Sequence, residues 1–304
     1  MSIETLKGLL KENNIEFLEN VSMKNHTTFK IGGSADLMVN VKNINEFKSA
    51  VKFAKAVSAP YFILGRGSNL LVSDNGIEGA VINTCAMEKI IVNGNEIICD
   101  AGVNLSKLCI TAANNGLSGL EFAYGIPGTV GGALYMNAGA YDGEMSFVVL
   151  SAECLNEKGE VVTLLKSDMN LGYRTSIFKE NKYPILNVKF KLFAGDTKEI
   201  NAKMNTFIAR RKEKQPLEYP SAGSTFKRPE GHFAGALIEE NNLKGKTVGG
   251  AMVSEKHAGF IINYNNATAD DVRNLINTVK QTVYENGGIT LEPEVIFVGR
   301  EMSE

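Results

Sequence analysis

The sequence predicts an α+β fold laid out in three consecutive segments, and three observations predict it. Helix and strand patterns alternate up to position 72, the pattern turns largely to strands over 73–195, and from 196 a capped helix opens a further mixture that runs to 304. The opening stretch 1–11 is amphipathic, with acid and base mixed through it. A signal peptide would instead pair a basic start with an apolar run. After the loop NHTTFKIGG at 25–33 come a strand over 35–41 and a helix over 44–57, with Phe47, Val51, Ala54 and Val57 at helical spacing. Short apolar strands follow at 61–64 and 70–72.

In the middle segment, strands are expected at 90–92, 96–99, 147–155, 161–165 and 185–193. Asn93-Gly94 joins the first two as a hairpin, because both residues tolerate the left-handed backbone of a tight turn. One helix over 104–115 interrupts the strands and is stopped by Gly116. In the last segment Asp196 reads as an N-cap followed by an acidic first turn, opening a helix to 214 that ends before Pro216. A short helix over 233–240, strands at 248–254 and 259–263, and a helix over 269–286 closed by Gly287-Gly288 come next. A final strand spans 289–298.

Composition narrows the function classes. The chain is 44% hydrophobic and 22% charged, as in globular proteins. A formal net charge of −2 leaves no electrostatic footprint for nucleic acid or an anionic membrane, and no apolar stretch reaches spanning length. Cys85, Cys99, Cys109 and Cys154 show no C-x-x-C pairing, and His26, His232 and His257 are scattered. We expect reduced thiols, no metal, a cytoplasmic location and a monomer.

Two glycine-rich runs carry the first functional signal. In YGIPGTVGGALYMNAGA at 124–140, Gly125, Gly128, Gly131, Gly132 and Gly139 permit close backbone approach and leave amides uncovered, as a diphosphate or a flat cofactor ring requires. The run lacks the Gly-Lys-Ser/Thr ending of the Walker loop and the spacing of G-x-G-x-x-G. The second run, GRGSN at 65–69, follows an apolar strand. It offers consecutive amides, the side chains of Ser68 and Asn69, and Arg66 as a counter-charge for a pyrophosphate. Together they point to a dinucleotide-binding fold of neither the Rossmann nor the P-loop kind.

Polar residues that interrupt buried patterns supply the remaining candidates. Arg174, between Tyr173 and an apolar segment, reads either as an anion clamp or as a surface arginine packed on its aromatic neighbour. Ser224 follows two small residues in PSAGSTFKRP at 220–229 and precedes Lys227 and Arg228, a hydroxyl beside two cations. This is not the G-x-S-x-G elbow, and no histidine adjoins it. Strand alternation in LEPEVIF at 291–297 puts Glu292 and Glu294 on one face without choosing between them, and Pro293 argues for an edge position. The basic run RRKEKQP at 210–216 either complements a helix dipole or faces a diphosphate.

In family order, NHTTFKIGG, LGRGSNLL at 64–71, GIPGTVGG at 125–132, MNAGA at 136–140, Tyr173-Arg174, SAGSTF at 221–226 and LEPEV at 291–295 resemble the UDP-N-acetylenolpyruvoylglucosamine reductase family over nearly the whole chain. The resemblance implies an FAD-binding fold of the vanillyl-alcohol-oxidase type in two α/β subdomains, 1–72 and 73–195. A C-terminal α+β substrate-binding domain, 196–304, would close over the sugar nucleotide. It implies that NADPH reduces FAD, and that UDP-N-acetylglucosamine enolpyruvate then takes hydride on its methylene carbon to give UDP-N-acetylmuramate, a peptidoglycan precursor. Carried over by position, Arg174, Ser224 and Glu294 are the catalytic set. Flavin contacts fall to Gly65, Arg66, Gly67, Ser68, Asn69, Pro127, Gly128, Thr129, Gly132, Ala133, Asn137 and Gly139. Arg211, Lys214, Gln215, Lys227 and Arg228 are candidates for the UDP-sugar. The chain resembles the shorter type of the family, without the tyrosine-bearing substrate loop, so no lid tyrosine is carried over. Two other readings fit the glycine runs: another flavin oxidoreductase of the same fold acting on a hydroxy acid or lactone, and a non-catalytic nucleotide-binding module.

Overall fold

The computed structural model describes residues 2–301; Met1, at the head of the expected first helix, lies outside them. Two compact units interleave along the chain, where the sequence suggested consecutive segments. One takes Met1–Leu18, Met38–Arg66 and Gly79–Arg211, and the other takes Glu19–Leu37, Gly67–Glu78 and Lys212–Glu304.

The larger sheet of the first unit is antiparallel, in the order Val161–Leu165, Val149–Leu155, Ile185–Lys191, Glu96–Asp100, Ile90–Asn93. Val188 pairs with Ala152 on one side and Cys99 on the other, and all three are buried, so this row defines the core face. The Asn93-Gly94 hairpin forms as expected: Asn93 stands opposite Glu96 and Gly94 has φ +57°. The helix Leu105–Asn114 is capped by Asn104, whose side chain accepts from the Ser106 and Lys107 amides, and it buries Leu105, Leu108, Cys109 and Ala112.

Two apolar runs differ from expectation at their ends. The strand expected from 147 starts at Val149, Met145–Val148 being a helical turn, and Phe193–Ala194 leaves the main sheet to pair with Leu117–Ser118. The strands Phe17–Ser22 and Ile77–Asn83 were not expected. Within the latter, Ala80 to Asn83 run parallel to Tyr61–Leu64. The helix Thr197–Lys214, placed by sequence in the last segment, sends Ile200 and Met204 into the core of the first unit. This apolar anchorage carries the unit boundary on to Arg211.

In the second unit Phe29, Ile31 and Leu71 share a core with Val272, Ile276 and Val279 of the helix Ala269–Gly287, and with Leu291 and Val295. That helix starts on a reciprocal Thr268–Asp271 capping box and ends on Gly288 at φ +67°. Thr247–Val248, Ala251–Val253 and Ile261–Asn263 form a small antiparallel sheet. Of the final strand expected over 289–298, only Ile296–Val298 is regular, paired in parallel with Leu70–Val72. No helix among the described residues is long and apolar enough to cross a membrane.

Candidate active site

Within the first unit the two glycine runs meet. A Cβ placed on Gly65 would press on the Thr129 hydroxyl, so glycine at 65 lets the first loop touch the second. The second run is less open than its composition suggests. Val130–Tyr135 is a short helix, in which the Val130 and Gly131 amides donate to the Val103 and Ala101 carbonyls at 2.9 and 2.8 Å. The Gly132 amide reaches Thr129 Oγ1 at 3.3 Å and Ala133 donates to the Thr129 carbonyl. These amides are engaged inside the fold, which corrects the expectation that they stay uncovered. Gly131 is needed because its Cβ would stand 2.8 Å from that of Ala101. Gly132 is exposed, and nothing but Thr129 Oγ1, at 3.4 Å, lies near where its Cβ would be. Pro127 is exposed, Gly128, Thr129 and Ala133 are buried, and Gly139 is half-buried.

Arg174 occupies the tip of a two-residue turn. Gly172 and Thr175 exchange main-chain hydrogen bonds of 3.2 and 3.3 Å around Tyr173 and Arg174, and Arg174 has φ +57°. Its guanidinium lies 5.1 Å from the centroid of the Tyr173 ring. Ser176 Oγ donates to the Tyr135 carbonyl at 2.7 Å and Lys179 Nζ to the Arg174 carbonyl at 3.3 Å. Anchoring of this kind suits a side chain held in one direction.

In the second unit, residues distant in sequence are laddered side by side. The Glu294 amide donates to the Thr225 carbonyl and the Lys227 amide to the Glu292 carbonyl, at 2.8 and 2.9 Å, with Phe226 bridged antiparallel to Pro293. Thr225 is the anchor: its amide reaches the Gly259 carbonyl at 2.8 Å and its hydroxyl accepts from the Ile261 amide at 3.0 Å. Each such bond contributes on the order of 1 kcal/mol net. Ser224 is exposed just before this anchor and after Gly223, which has φ +78°. Glu294 is half-buried directly across from Thr225.

Burial separates the two glutamates. Glu292 is exposed and ion-paired with Lys227 Nζ at 2.9 Å, and this hydrogen bond holds its carboxyl below the usual range.

Two supports of the serine–glutamate segments emerge here, one of them at a residue expected to meet the flavin. Asn69 Nδ2 donates to the Glu294 carbonyl at 3.0 Å while its own carbonyl accepts from the Ile296 amide, so the polar end of the phosphate-type loop fixes the glutamate strand. Thr28 Oγ1 donates to the Ser221 carbonyl at 2.7 Å, supporting the serine segment from the NHTTFKIGG loop. A Cβ on Gly67, at φ +60°, would run into the His26 carbonyl oxygen, so a side chain there is excluded by the protein itself. Ser68 is half-buried and Arg66 exposed.

The substrate candidates stand in different surroundings. Burial lowers the pKa of Arg211, and nearby Tyr141 partly offsets this. Gln215 carries a buried Oε1 with no hydrogen-bond partner. Lys214 is exposed. Lys227 pairs with Glu292, and the Arg228 guanidinium lies 4.6 Å from the centroid of the Phe233 ring. The four cysteines are unpaired, and burial pushes the Cys154 thiol up to about 11 and those of Cys99 and Cys109 higher.

His257 supports the serine anchor indirectly: its Nδ1 accepts from the Gly259 amide at 3.1 Å, and the Gly259 carbonyl receives Thr225. Burial lowers the pKa of His257, and burial with Lys30 does the same for His26, below the ordinary 6.5. Between that depressed folded value and 6.5 the unfolded chain binds the proton and the folded one does not. Stability is therefore fully present above 6.5 and is lost as pH falls through the folded value. Melting temperatures followed from pH 8 to 5 should begin to drop near 6.5, with a slope of at most roughly 1.4 kcal/mol per pH unit per histidine. His257→Gln should flatten that slope, and an unchanged profile would remove His257 as its source.

A fold with two converging glycine loops, an arginine turn and a serine–glutamate ladder defines a flavin-dependent oxidoreductase. Residues 35–165 match the FAD binding domain family and residues 215–298 match the UDP-N-acetylenolpyruvoylglucosamine reductase C-terminal domain family. A UDP-N-acetylenolpyruvoylglucosamine reductase from Clostridium tetani is 50% identical over 93% of this chain and 92% of its own length. One from Clostridium novyi is 49% identical over 94% of this chain and 93% of its own. The crystal structure of UDP-N-acetylenolpyruvylglucosamine reductase from Thermus caldophilus superposes with a TM-score of 0.80 at 36% identity, covering 93% of this chain and 98% of that one. The chain belongs to the UDP-N-acetylenolpyruvoylglucosamine reductase family. Its fold class is the α+β one expected, an FAD-binding domain with a C-terminal α+β region. The residues present suit FAD: Arg66 is an exposed cation in a glycine loop, and Gly132 leaves open space beside Thr129.

Proposed function

We propose that this chain reduces UDP-N-acetylglucosamine enolpyruvate to UDP-N-acetylmuramate at the expense of NADPH, with Arg174, Ser224 and Glu294 as its catalytic groups. The product is a precursor of peptidoglycan. When bound, FAD would supply the hydride chemistry that links NADPH to the methylene carbon of the enolpyruvyl group. Negative charge then develops on the neighbouring carbon and its carboxylate. Arg174 stabilises that enolate-like charge, with Glu294 as its hydrogen-bonding or protonated partner. Ser224 delivers the proton to the same carbon; a hydroxyl is a weak acid, but the carbanionic centre is far more basic. The observation that carries this reading is the backbone pairing of Thr225 with Glu294, which brings the serine and glutamate segments together from distant parts of the sequence.

In the proposed division of labour, 1–72 and 73–195 hold FAD through Gly65, Arg66, Gly67, Ser68, Asn69, Pro127, Gly128, Thr129, Gly132, Ala133 and Gly139, and 196–304 holds the sugar nucleotide. Arg211, whose charge is disfavoured by burial, and Gln215, with its unpartnered acceptor, support contacts to the UDP-sugar, alongside Lys214. Lys227 and Arg228 are weaker substrate candidates, because Glu292 and Phe233 already engage them. We place the enzyme in the cytoplasm as a monomer, in keeping with its small-molecule substrates.

The test is the visible spectrum of the purified protein, followed anaerobically. Flavin bands should bleach on addition of NADPH and return on addition of UDP-N-acetylglucosamine enolpyruvate. Bands that bleach but do not return would favour a hydroxy-acid or lactone oxidoreductase, and a colourless protein that cannot be loaded with FAD would reject the flavin site.

A further inference from the structure

Asn137 was expected to meet the flavin, yet its side chain is fully engaged elsewhere. It is 1% exposed, with φ +41°, a backbone that asparagine tolerates better than most residues. Its Nδ2 donates to the Gly172 carbonyl at 3.0 Å and to Glu144 Oε1 at 3.2 Å, and its Oδ1 accepts from the Ser146 amide at 3.0 Å. Ser146 Oγ also donates to Glu144 Oε1. Both amide protons and the carbonyl oxygen are therefore in use, and the order of donors fixes which way the amide faces. Gly172 is the residue whose carbonyl closes the turn around Arg174 through Thr175.

We infer that Asn137 is a positioning residue: through the Gly172 carbonyl it sets the turn that presents Arg174, and Glu144 with Ser146 locks its amide in the required orientation. This rests on the role of Arg174 proposed above. An aspartate at 137 would lack both donors and place a second negative charge beside Glu144. A glycine or alanine would leave the Gly172 carbonyl to Thr175 alone. The link runs from the glycine-rich run to the arginine turn entirely inside the first unit, so the two respond together to any shift of the 135–146 segment.

The test is a double-substitution cycle on the FAD-loaded protein, reading separately the reduction by NADPH and the reoxidation by UDP-N-acetylglucosamine enolpyruvate. Asn137→Ala should retain FAD, keep the NADPH step and slow reoxidation by about 10²-fold, the cost of a misplaced catalytic group. Added to Arg174→Ala, it should slow the reaction little further, because its effect passes through that arginine. A loss just as large in the Arg174→Ala background overturns the inference, as does a protein that instead loses FAD, which would restore Asn137 as a cofactor contact. Should Asn137→Ala not fold, Glu144 gives the same reading. Glu144→Gln keeps an acceptor and should preserve reoxidation, whereas Glu144→Ala should slow it with the same non-additivity; an unaffected Glu144→Ala overturns the inference. If Arg174→Ala alone leaves reoxidation unchanged, the role of Arg174 itself fails, a result distinct from additivity.

Discussion

In the Ser224→Ala variant, NADPH should reduce the bound flavin at close to the original rate, while reoxidation by UDP-N-acetylglucosamine enolpyruvate should slow by about 10²–10⁴-fold, the usual worth of a positioned proton donor. The hydroxyl is exposed, and the segment is held by Thr225 on one side and by the Ser221 carbonyl on the other, so the substitution leaves the scaffold in place. Its effect on stability should stay within about 0.5 kcal/mol, as for other exposed positions. Glu292→Gln serves as the control, since it breaks an ion pair with side-chain exposures of 65% and 35%, a class of contact contributing about 0.2–1 kcal/mol, and should leave both steps intact. Stopped-flow absorbance separates the two steps. A loss confined to NADPH reduction would remove Ser224 as the donor.

Arg174→Ala should slow the same reoxidation step by about 10²–10³-fold, equivalent to about 2.7–4 kcal/mol for one preorganised donor. The turn survives the change, because alanine is no worse than arginine at φ +57° and the bonds that hold the turn are made by backbone groups of Gly172, Arg174 and Thr175. Arg174→Lys should recover part of the rate and not all of it: an ammonium keeps the charge but lacks the planar fork that grips a carboxylate at two points. Recovery to the full rate by lysine would show that charge alone suffices. A variant that loses NADPH reduction but reoxidises normally would move Arg174 out of the chemistry assigned to it.

The sequence was most legible where local chemistry decides structure. Asn93-Gly94 could only turn, Asp196 opened a helix, and the Phe47-Val51-Ala54 spacing had one helical reading. It was least legible where a tertiary contact overrules local preference. Ile77–Asn83 went unassigned, and glycine at 79 is what allows this strand to pass the Pro60 carbonyl. Val130–Tyr135 opens with two poor helix formers and forms because Thr129 caps it and its first amides are fixed by Val103 and Ala101. Arg174, Ser224 and the two glutamates were visible as polar interruptions, but grouping them as one catalytic set came only from resemblance, since the pairing of Thr225 with Glu294 leaves no trace in spacing. Strand alternation left Glu292 and Glu294 equivalent and resemblance alone chose Glu294; the ion pair of the exposed Glu292 with Lys227 separates them only in the structure. Asn137 was read as a flavin contact from its glycine-rich company, and spacing gave no sign that its side chain bonds Gly172, Glu144 and Ser146.

The interleaving of the two units has a consequence for biogenesis. Phe29 and Ile31 are made long before their core partners Leu291 and Val295. The second unit cannot close until Val295 has emerged, whereas the first has all its residues once Arg211 has emerged. Between those two events the nascent chain carries Phe29 and Ile31 without their partners, an apolar segment for a chaperone to cover, and a stop between 212 and 290 strands that segment for good.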